Sequence, residues 1–288
     1  LDQKTLFEDP PNVLKYLSSA QHKSSKKTFY QIPGPYTGKG YRAVLTNLKA
    51  AKELLESEAW VVPLTEKEKQ QNVLESNLNG LGDVYEQKYV AHWNDWLKDI
   101  EVKRPANLKE AVELYKLLRT PDWPYLRIIR TLEDNTQFSR SKILQNKETK
   151  AFIERRIQSR LGRATRGLRF NDIDLDKLGG RVTRIPGAFR ATVEFGLPEE
   201  GKGQRVILSE TPLAKYMDLL NKNRSQMVDI LDQQDDPSVN LIAIDLRDAI
   251  KQVQASLENS DDRTRRLLTP LLLNPLNVGG QIQRNASY

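Results

Sequence analysis

The stretch DVYEQKYVAHWNDWLKDI, residues 83–100, decides the predicted fold. At helical pitch its apolar side chains recur every three or four residues, which places them on one face. Because each aromatic ring can bury about 150–250 Å², we predict a core helix on which other helices pack, with Glu86, Lys88 and Asp99 on its polar face. Four aromatic residues form the predicted structural spine, and two aliphatic residues extend it: Tyr85, Tyr89, Trp93 and Trp96, then Leu97 and Ile100.

The composition describes a charge-rich chain that can still build a core. Of 288 residues, 38% are hydrophobic and 29% charged, and the net charge is +7. Since there is no cysteine, disulfides, thiolate nucleophiles and cysteine-ligated metals are excluded. No apolar run reaches the roughly 18–20 residues that span a bilayer. The polar start at Leu1 is interpreted as the cut end of a longer protein.

Helical periodicity continues on both sides of the aromatic stretch. A helix predicted to begin near Thr65 either kinks or breaks at Gly80-Leu81-Gly82. Residues 180–208 hold β-branched and turn residues that allow a small β-hairpin, although AFRATVEF within them could instead form a short helix opened by Pro186. We therefore predict a mainly all-α fold, an elongated bundle of about eight to ten helices. It is divided into helical subdomains over residues 1–138 and 139–288.

Two further helix starts carry capping signals. Asn107 is followed three residues later by Glu110, which is the spacing of a capping box. Asp261 and Asp262 precede an apolar run, and their negative charge is favourable at a helix N-terminus. We predict that a helix begins at each place.

No catalytic, cofactor-binding or metal-binding residue is predicted. GPYTGKGY, residues 34–41, lacks the glycine spacing of a phosphate loop, and Gly40 stands where a Ser or Thr would hold magnesium. We interpret it as a glycine-rich helix entrance shaped by Gly34 and Gly40. The two histidines, His22 and His92, offer no zinc-ligand cluster. The chain is therefore predicted not to be an enzyme.

Positive charge is concentrated in residues 139–184, which hold 13 Lys or Arg against 5 Asp or Glu. Arginines spaced by three and four residues would form a stripe on a helix there. Such a stripe either stays solvated or binds an acidic protein face, anionic lipid or nucleic acid phosphates. No aromatic residues interleave with it, which weakens the case for single-stranded nucleic acid. The residues of the predicted partner or lipid surface are Arg155, Arg156, Arg160, Arg163 and Arg166.

Several segments, in order, resemble the IcmF/TssM family over about residues 30–285. The entrance IPGPYTGKGYRAVL is similar to the family's Pro-Gly, Tyr-Thr and Gly-Tyr series, and Trp60-Val61 follow the next helix as in the family. YEQKYVAHWNDWLKDIEV is similar to the family's tyrosine and tryptophan segment. The next segment, LKEAVELYKLLRTPDWPYLRIIRTLEDNT, is also similar to the family and ends with Asn135-Thr136. AFRATVEF, LAKYMDLLN and LLTPLLLNPLNVGGQI resemble its C-terminal helical part.

This resemblance implies a non-enzymatic, structural component of a bacterial type VI or type IVB secretion system. The protein would be held in the inner membrane, with this region in the periplasm. The implied partners are a DotU/TssL-like inner-membrane protein and further copies of the chain. An outer-membrane lipoprotein of the TssJ kind is a further partner in type VI systems, although the chain shows no β-rich tail for it. The alternative is a helical nucleic-acid-binding module using residues 139–184, but no nucleic acid is expected.

Overall fold

The computed structural model describes residues 17–19, 31–58, 64–118, 124–138, 177–178, 181–197, 210–232 and 239–278. Within these ranges the chain is mainly helical, so the predicted fold class is confirmed. The helices are α1 (Gly38–Glu58), α2 (Leu64–Asp99), α3 (Leu108–Leu118), α4 (Tyr125–Thr136), α5 (Ile185–Glu194), α6 (Pro212–Asp232), α7 (Val239–Glu258) and α8 (Asp262–Leu273). The strands are β1 (Leu17–Ser19), β2 (Ile100–Val102), β3 (Lys177–Leu178) and β4 (Arg181–Val182).

Helix α2 is the longest described element, at 36 residues, and it contains the aromatic stretch. It continues through Gly80 and Gly82, so the predicted alternative of a break at these glycines is wrong. It ends at Asp99, one residue before the predicted apolar stripe ends. Ile100 begins β2 instead, and its side chain is buried there.

Two short antiparallel pairs supply the β structure of the described residues. In the first pair, β1 lies against β2 with Leu17 opposite Val102, and both side chains are buried. This pair was not predicted from the sequence, because it joins segments about eighty residues apart. In the second pair, β3 lies against β4 with Leu178 opposite Arg181.

In the segment for which a hairpin and a helix competed, residues 181–182 form the short strand β4 and residues 185–194 form a helix. Helix α5 runs from Ile185 to Glu194 and includes most of AFRATVEF. The Thr183 hydroxyl accepts a hydrogen bond from the backbone N–H of Ile185 at 3.3 Å, which satisfies one N–H group of the helix start. Residues 198–209, the rest of the region predicted as a possible hairpin, lie outside the described residues.

The chain divides into two compact units, each assembled from discontinuous segments. The first unit contains Ile32–Trp93 and Leu132–Phe189. The second unit contains Asp2–Gln31, Asn94–Thr131 and Arg190–Tyr288. The subdomain boundary after residue 138 stays a prediction.

In the second unit, α6 packs against α3 and α7, and α7 also packs against α8.

Both helix starts that were predicted from capping signals, at Asn107 and at Asp261, are confirmed. The Asn107 side chain accepts from the N–H of Glu110 at 2.9 Å, and Asp261 accepts from the N–H of Thr264 at 2.8 Å. The Glu110 carboxylate reaches back to the N–H of Ala106, one residue before the predicted position.

Candidate functional site

The aromatic residues of α2 lie mostly in the interior of the protein. Tyr89 is 0% exposed, and Trp93 and Trp96 are each 1% exposed. Tyr85, one turn before Tyr89, is half-buried. Because side chains four residues apart lie on one helix face, Tyr85, Tyr89 and Trp93 form a row along the first-unit part of α2.

Each side chain in this row donates a hydrogen bond to a backbone carbonyl of another segment. The Tyr85 hydroxyl donates to the carbonyl of Pro35 at 2.6 Å, and the Trp93 indole N–H donates to the carbonyl of Tyr36 at 2.9 Å. The Tyr89 hydroxyl donates to the carbonyl of Asn135, at the end of α4, at 2.5 Å. The row therefore supplies partners for carbonyls outside regular helix hydrogen bonding, which would be costly to bury unpaired.

The rings around this row pack in defined orientations. Tyr41 of α1 stacks on Phe138, with ring centroids 3.9 Å apart and planes at 4°. Tyr89 meets both rings edge to face, at 5.9 and 6.1 Å. Tyr36 stacks on Tyr85 at 5.6 Å. These geometries suit the quadrupoles of aromatic rings and add to the energy of burial.

Burial raises the pKa of the Tyr85 hydroxyl above its usual value near 10, and the neighbouring hydroxyls of Tyr41 and Tyr36 raise it further. Burial also raises the pKa of Tyr89 well above that value, with Tyr85 as the next cause. Both hydroxyls therefore keep their protons at neutral pH. A protonated phenol is required for each of the two hydrogen bonds to backbone carbonyls.

The glycine-rich entrance is a short 3-10 turn, Gly34–Tyr36, followed directly by α1. The Thr37 hydroxyl accepts from the N–H of Gly40 at 3.1 Å and thereby caps the helix. The Asn135 side chain accepts from the N–H of Gly38 at 2.8 Å. These two N–H groups are thus engaged within the protein, whereas a phosphate loop would direct such groups at its ligand.

The two entrance glycines have different steric roles. A Cβ added at Gly40 would lie 2.0 Å from the Gly34 carbonyl oxygen and 2.7 Å from Pro35 backbone atoms. No side chain is tolerated at such distances from backbone, so Gly40 is required for the close approach of the turn to α1. A Cβ added at Gly34 would meet nothing within 4 Å.

Two acidic residues of α2 that were predicted on its polar face are buried. Asp99 is 0% exposed and Glu86 is 4% exposed. One oxygen of the Glu86 carboxylate accepts from the backbone N–H of Arg184, 3.3 Å away, just before α5. The prediction of a solvated face is therefore wrong for these two positions. Helical spacing could not reveal a carboxylate that binds the backbone of a segment 98 residues away.

A second set of tyrosines, which was not predicted from the sequence, binds the end of α8 and the turn after it within the second unit. The Tyr125 hydroxyl donates to the carbonyl of Leu271 at 2.9 Å, and that of Tyr216 donates to the carbonyl of Leu272 at 3.0 Å. The Tyr115 hydroxyl donates to the carbonyl of Pro275 at 3.1 Å. The last carbonyls of a helix lack helical partners, so the Tyr125 and Tyr216 hydroxyls satisfy two such groups of α8. Tyr115 binds the 3-10 helix Pro275–Val278 that follows α8.

The remaining sequence-predicted positions show no chemical centre in the part of the chain that the structure describes. The arginine stripe, including Arg155 and Arg166, lies outside the described residues, as does His22. His92 is half-buried and packs against the ring of Tyr36, with centroids 4.3 Å apart. Among the described residues no group of three or more His, Asp or Glu side chains is placed to hold a metal ion. None of the described helices combines the length and the apolar character needed to cross a membrane.

Comparison with known protein families gives one match. The IcmF-related family, described as "intracellular multiplication and human macrophage-killing", matches residues 15–137. This range includes β1, the entrance turn, β2 and the whole of helices α1 to α4. None of the curated proteins or solved structures that were compared with the chain matches it. Residues 15–137, a little under half of the chain, therefore match the IcmF-related family.

Proposed function

We propose that this chain is a non-enzymatic structural part of a bacterial secretion-system membrane complex, with its place in the periplasm. The match to the IcmF-related family indicates a role connected with type VI or type IVB secretion and association with components of such a complex. The finer statement, that the chain works as a scaffold through protein–protein contacts, is our proposal.

The observation that carries the proposal is the chemistry of the residues on which the family resemblance rests. Tyr89 and Trp93 are buried and bind backbone carbonyls, and Gly40 permits a close backbone approach. These contacts hold segments of the chain in place. A rigid body that presents surfaces to other proteins is the function that such packing supports best.

The proposed partners are a DotU/TssL-like inner-membrane protein, further copies of the chain and, in a type VI system, a TssJ-like lipoprotein. The test is purification of the tagged full-length protein from cross-linked native membranes, with identification of the cross-linked residues by mass spectrometry. We expect cross-links between surface lysines of this region and a periplasmic segment of such a partner. The control is the same preparation with the tag on an unrelated inner-membrane protein.

If this region cross-links reproducibly only to cytoplasmic proteins, the periplasmic assignment is wrong. If it cross-links to no secretion component while the rest of the full-length protein does, this chain is not the scaffolding part. Both outcomes would overturn the proposal.

The alternative function is nucleic acid binding through the basic segment that contains the arginine stripe. Neutralisation of phosphates by several arginines releases counterions, so the logarithm of the affinity should fall linearly with the logarithm of the salt concentration. We expect no binding of duplex DNA or of RNA at low salt. Binding with a steep salt slope, lost when Arg155, Arg160 and Arg163 are replaced by Gln, would favour the alternative.

A further inference from the structure

The entrance turn is more exposed to solvent than the start of the helix that follows it. We define residues 33–36 as the strap. Pro33, Gly34 and Pro35 are exposed, and Tyr36 is half-buried. The neighbouring residues Gly38 and Tyr41, by contrast, are both buried.

The strap has few hydrogen bonds of its own, and they are local. The N–H of Tyr36 donates to the carbonyl of Pro33 at 2.9 Å, and the N–H of Thr37 donates to that of Gly34 at 3.2 Å. Two side chains of α2 donate hydrogen bonds to the strap. The Tyr85 hydroxyl donates to the carbonyl of Pro35, and the Trp93 indole N–H donates to that of Tyr36. The bond from Tyr85 to Pro35 lies at an exposed position, where water can compete for both groups.

One side chain of the strap inserts into the ring cluster. The Tyr36 ring stacks on Tyr85, meets Tyr89 edge to face at 6.2 Å and packs on His92. The next residues are fixed much more firmly. Gly38 is bound by the Asn135 side chain, and the Tyr41 ring is 0% exposed and stacked on Phe138.

We propose that the strap is a latch that opens from α2 as a unit, by rotation between Tyr36 and Thr37, while Thr37 and the rest of the first unit stay folded. Opening withdraws the Tyr36 ring, releases the Tyr85 and Trp93 donors, and exposes the ring faces of Tyr85 and His92 to solvent. Among the described residues, the closed state is held by the Tyr85 and Trp93 hydrogen bonds, by the ring contacts of Tyr36, and by the Thr37 N–H and hydroxyl, which both donate to the Gly34 carbonyl. Thr37 itself is buried and accepts from the N–H groups of Gly40 and Tyr41, so it stays with α1. Local opening with a free energy below that of global unfolding is characteristic of segments with few buried contacts. The latch does not depend on the proposed secretion role.

The test is hydrogen exchange of individual backbone amides by NMR, with Tyr85→Phe as the first variant. This change removes one donor and keeps the ring that stacks on Tyr36. Loss of a bond worth about 1 kcal/mol should speed exchange of the Tyr36 and Thr37 amides roughly 5-fold. Because the lost bond also stabilises the closed state against full unfolding, the denaturation midpoint should fall by the equivalent of the same 5-fold change. In the unchanged chain, exchange at Thr37 should depend little on added denaturant, whereas exchange at Gly38 and Tyr41 should follow global unfolding.

Two more variants separate the latch from a general loss of stability. Tyr36→Ala removes the inserted ring, and the Thr37 amide should then exchange roughly 10- to 100-fold faster than in the unchanged chain. Tyr115→Phe removes a comparable hydroxyl in the second unit and should leave the exchange of strap amides unaltered.

Two results would overturn the latch. In the first, the Thr37 amide of the unchanged chain exchanges with the same denaturant dependence as the amides of Gly38 and Tyr41, because the strap then opens only with the unit. In the second, neither Tyr85→Phe nor Tyr36→Ala changes exchange in the strap, because the α2 contacts then do not hold it.

Discussion

Replacement of Gly40 by alanine gives the sharpest test of how the entrance turn is packed. The added Cβ would lie 2.0 Å from the Gly34 carbonyl oxygen and 2.7 Å from Pro35 Cα and carbonyl carbon. These are backbone atoms, so no side-chain rotation relieves the overlap. Since real Cβ atoms essentially never come closer than 3.0 Å, the turn must move away from α1 by about 1 Å or more.

Such a movement breaks the contacts that hold the turn. Two hydrogen bonds from α2, to Pro35 and Tyr36, are worth about 1 kcal/mol each. The stacking of Tyr36 on its neighbours adds about 1–2 kcal/mol. Alanine regains at most about 1 kcal/mol through its helix propensity. We therefore expect Gly40→Ala to lower the free energy of unfolding by roughly 2–3 kcal/mol.

The assay is urea denaturation followed by circular dichroism, with Gly80→Ala as the matched control. Gly80 lies in α2, and a Cβ added there would meet nothing within 4 Å. That variant should gain about 0.5–1 kcal/mol from helix propensity. If Gly40→Ala is as stable as the unchanged chain while Gly80→Ala behaves as expected, the proposed close packing of the entrance turn is refuted.

Three further predictions concern burial, capping and ionisation. Trp96→Ala should lower the free energy of unfolding by about 3–5 kcal/mol, because its side chain is buried. Leu81→Ala, at a 60% exposed position, should change that free energy by no more than about 0.5 kcal/mol. Equal effects of the two variants would contradict the burial of the aromatic face of α2. Asp261→Ala should lower the free energy of unfolding by about 1 kcal/mol, because the N-cap hydrogen bond is lost. Asp262→Ala should lower it by less than half of that amount, because only a favourable charge at the helix N-terminus is lost. The reverse order of the two effects would contradict the capping assignment. Above pH 10 the unfolded chain loses tyrosine protons that the folded chain keeps, so each tyrosine with a raised pKa should lower stability by about 1.4 kcal/mol per pH unit. This stability is fully present below pH 10, and a denaturation midpoint that stays constant from pH 9 to pH 11 would refute it. The tyrosines concerned are Tyr85, Tyr89, Tyr115, Tyr125 and Tyr216.

Local sequence signals predicted the helices well. The apolar spacing of the 83–100 stretch identified a helix, and Tyr89, Trp93 and Trp96 are buried in the structure. Asn107 and Asp261 marked helix starts because their side chains bind N–H groups three residues ahead. Information of this kind lies within one or two helical turns, so a single sequence contains it.

Contacts between distant segments were not predictable in the same way. Glu86 looked solvated by its residue type, yet it binds a backbone N–H 98 residues further along the chain. The strand pair of Leu17 with Val102 likewise depends on which segments the fold brings together. Tyrosine in an apolar stripe indicates burial, but the carbonyl that its hydroxyl binds depends on tertiary structure. The arginine stripe stays a prediction.

The central claim is that the aromatic face of α2 is part of the buried core and is not a solvent-exposed interface. The most direct measurement is acrylamide quenching of tryptophan fluorescence. In the Trp60→Phe, Trp123→Phe double variant, only Trp93 and Trp96 of the four tryptophans remain. We predict blue-shifted emission and a quenching constant several-fold lower in the folded protein than in urea. Quenching as strong in the folded protein as in urea would contradict the account and identify the aromatic face as an exposed interface.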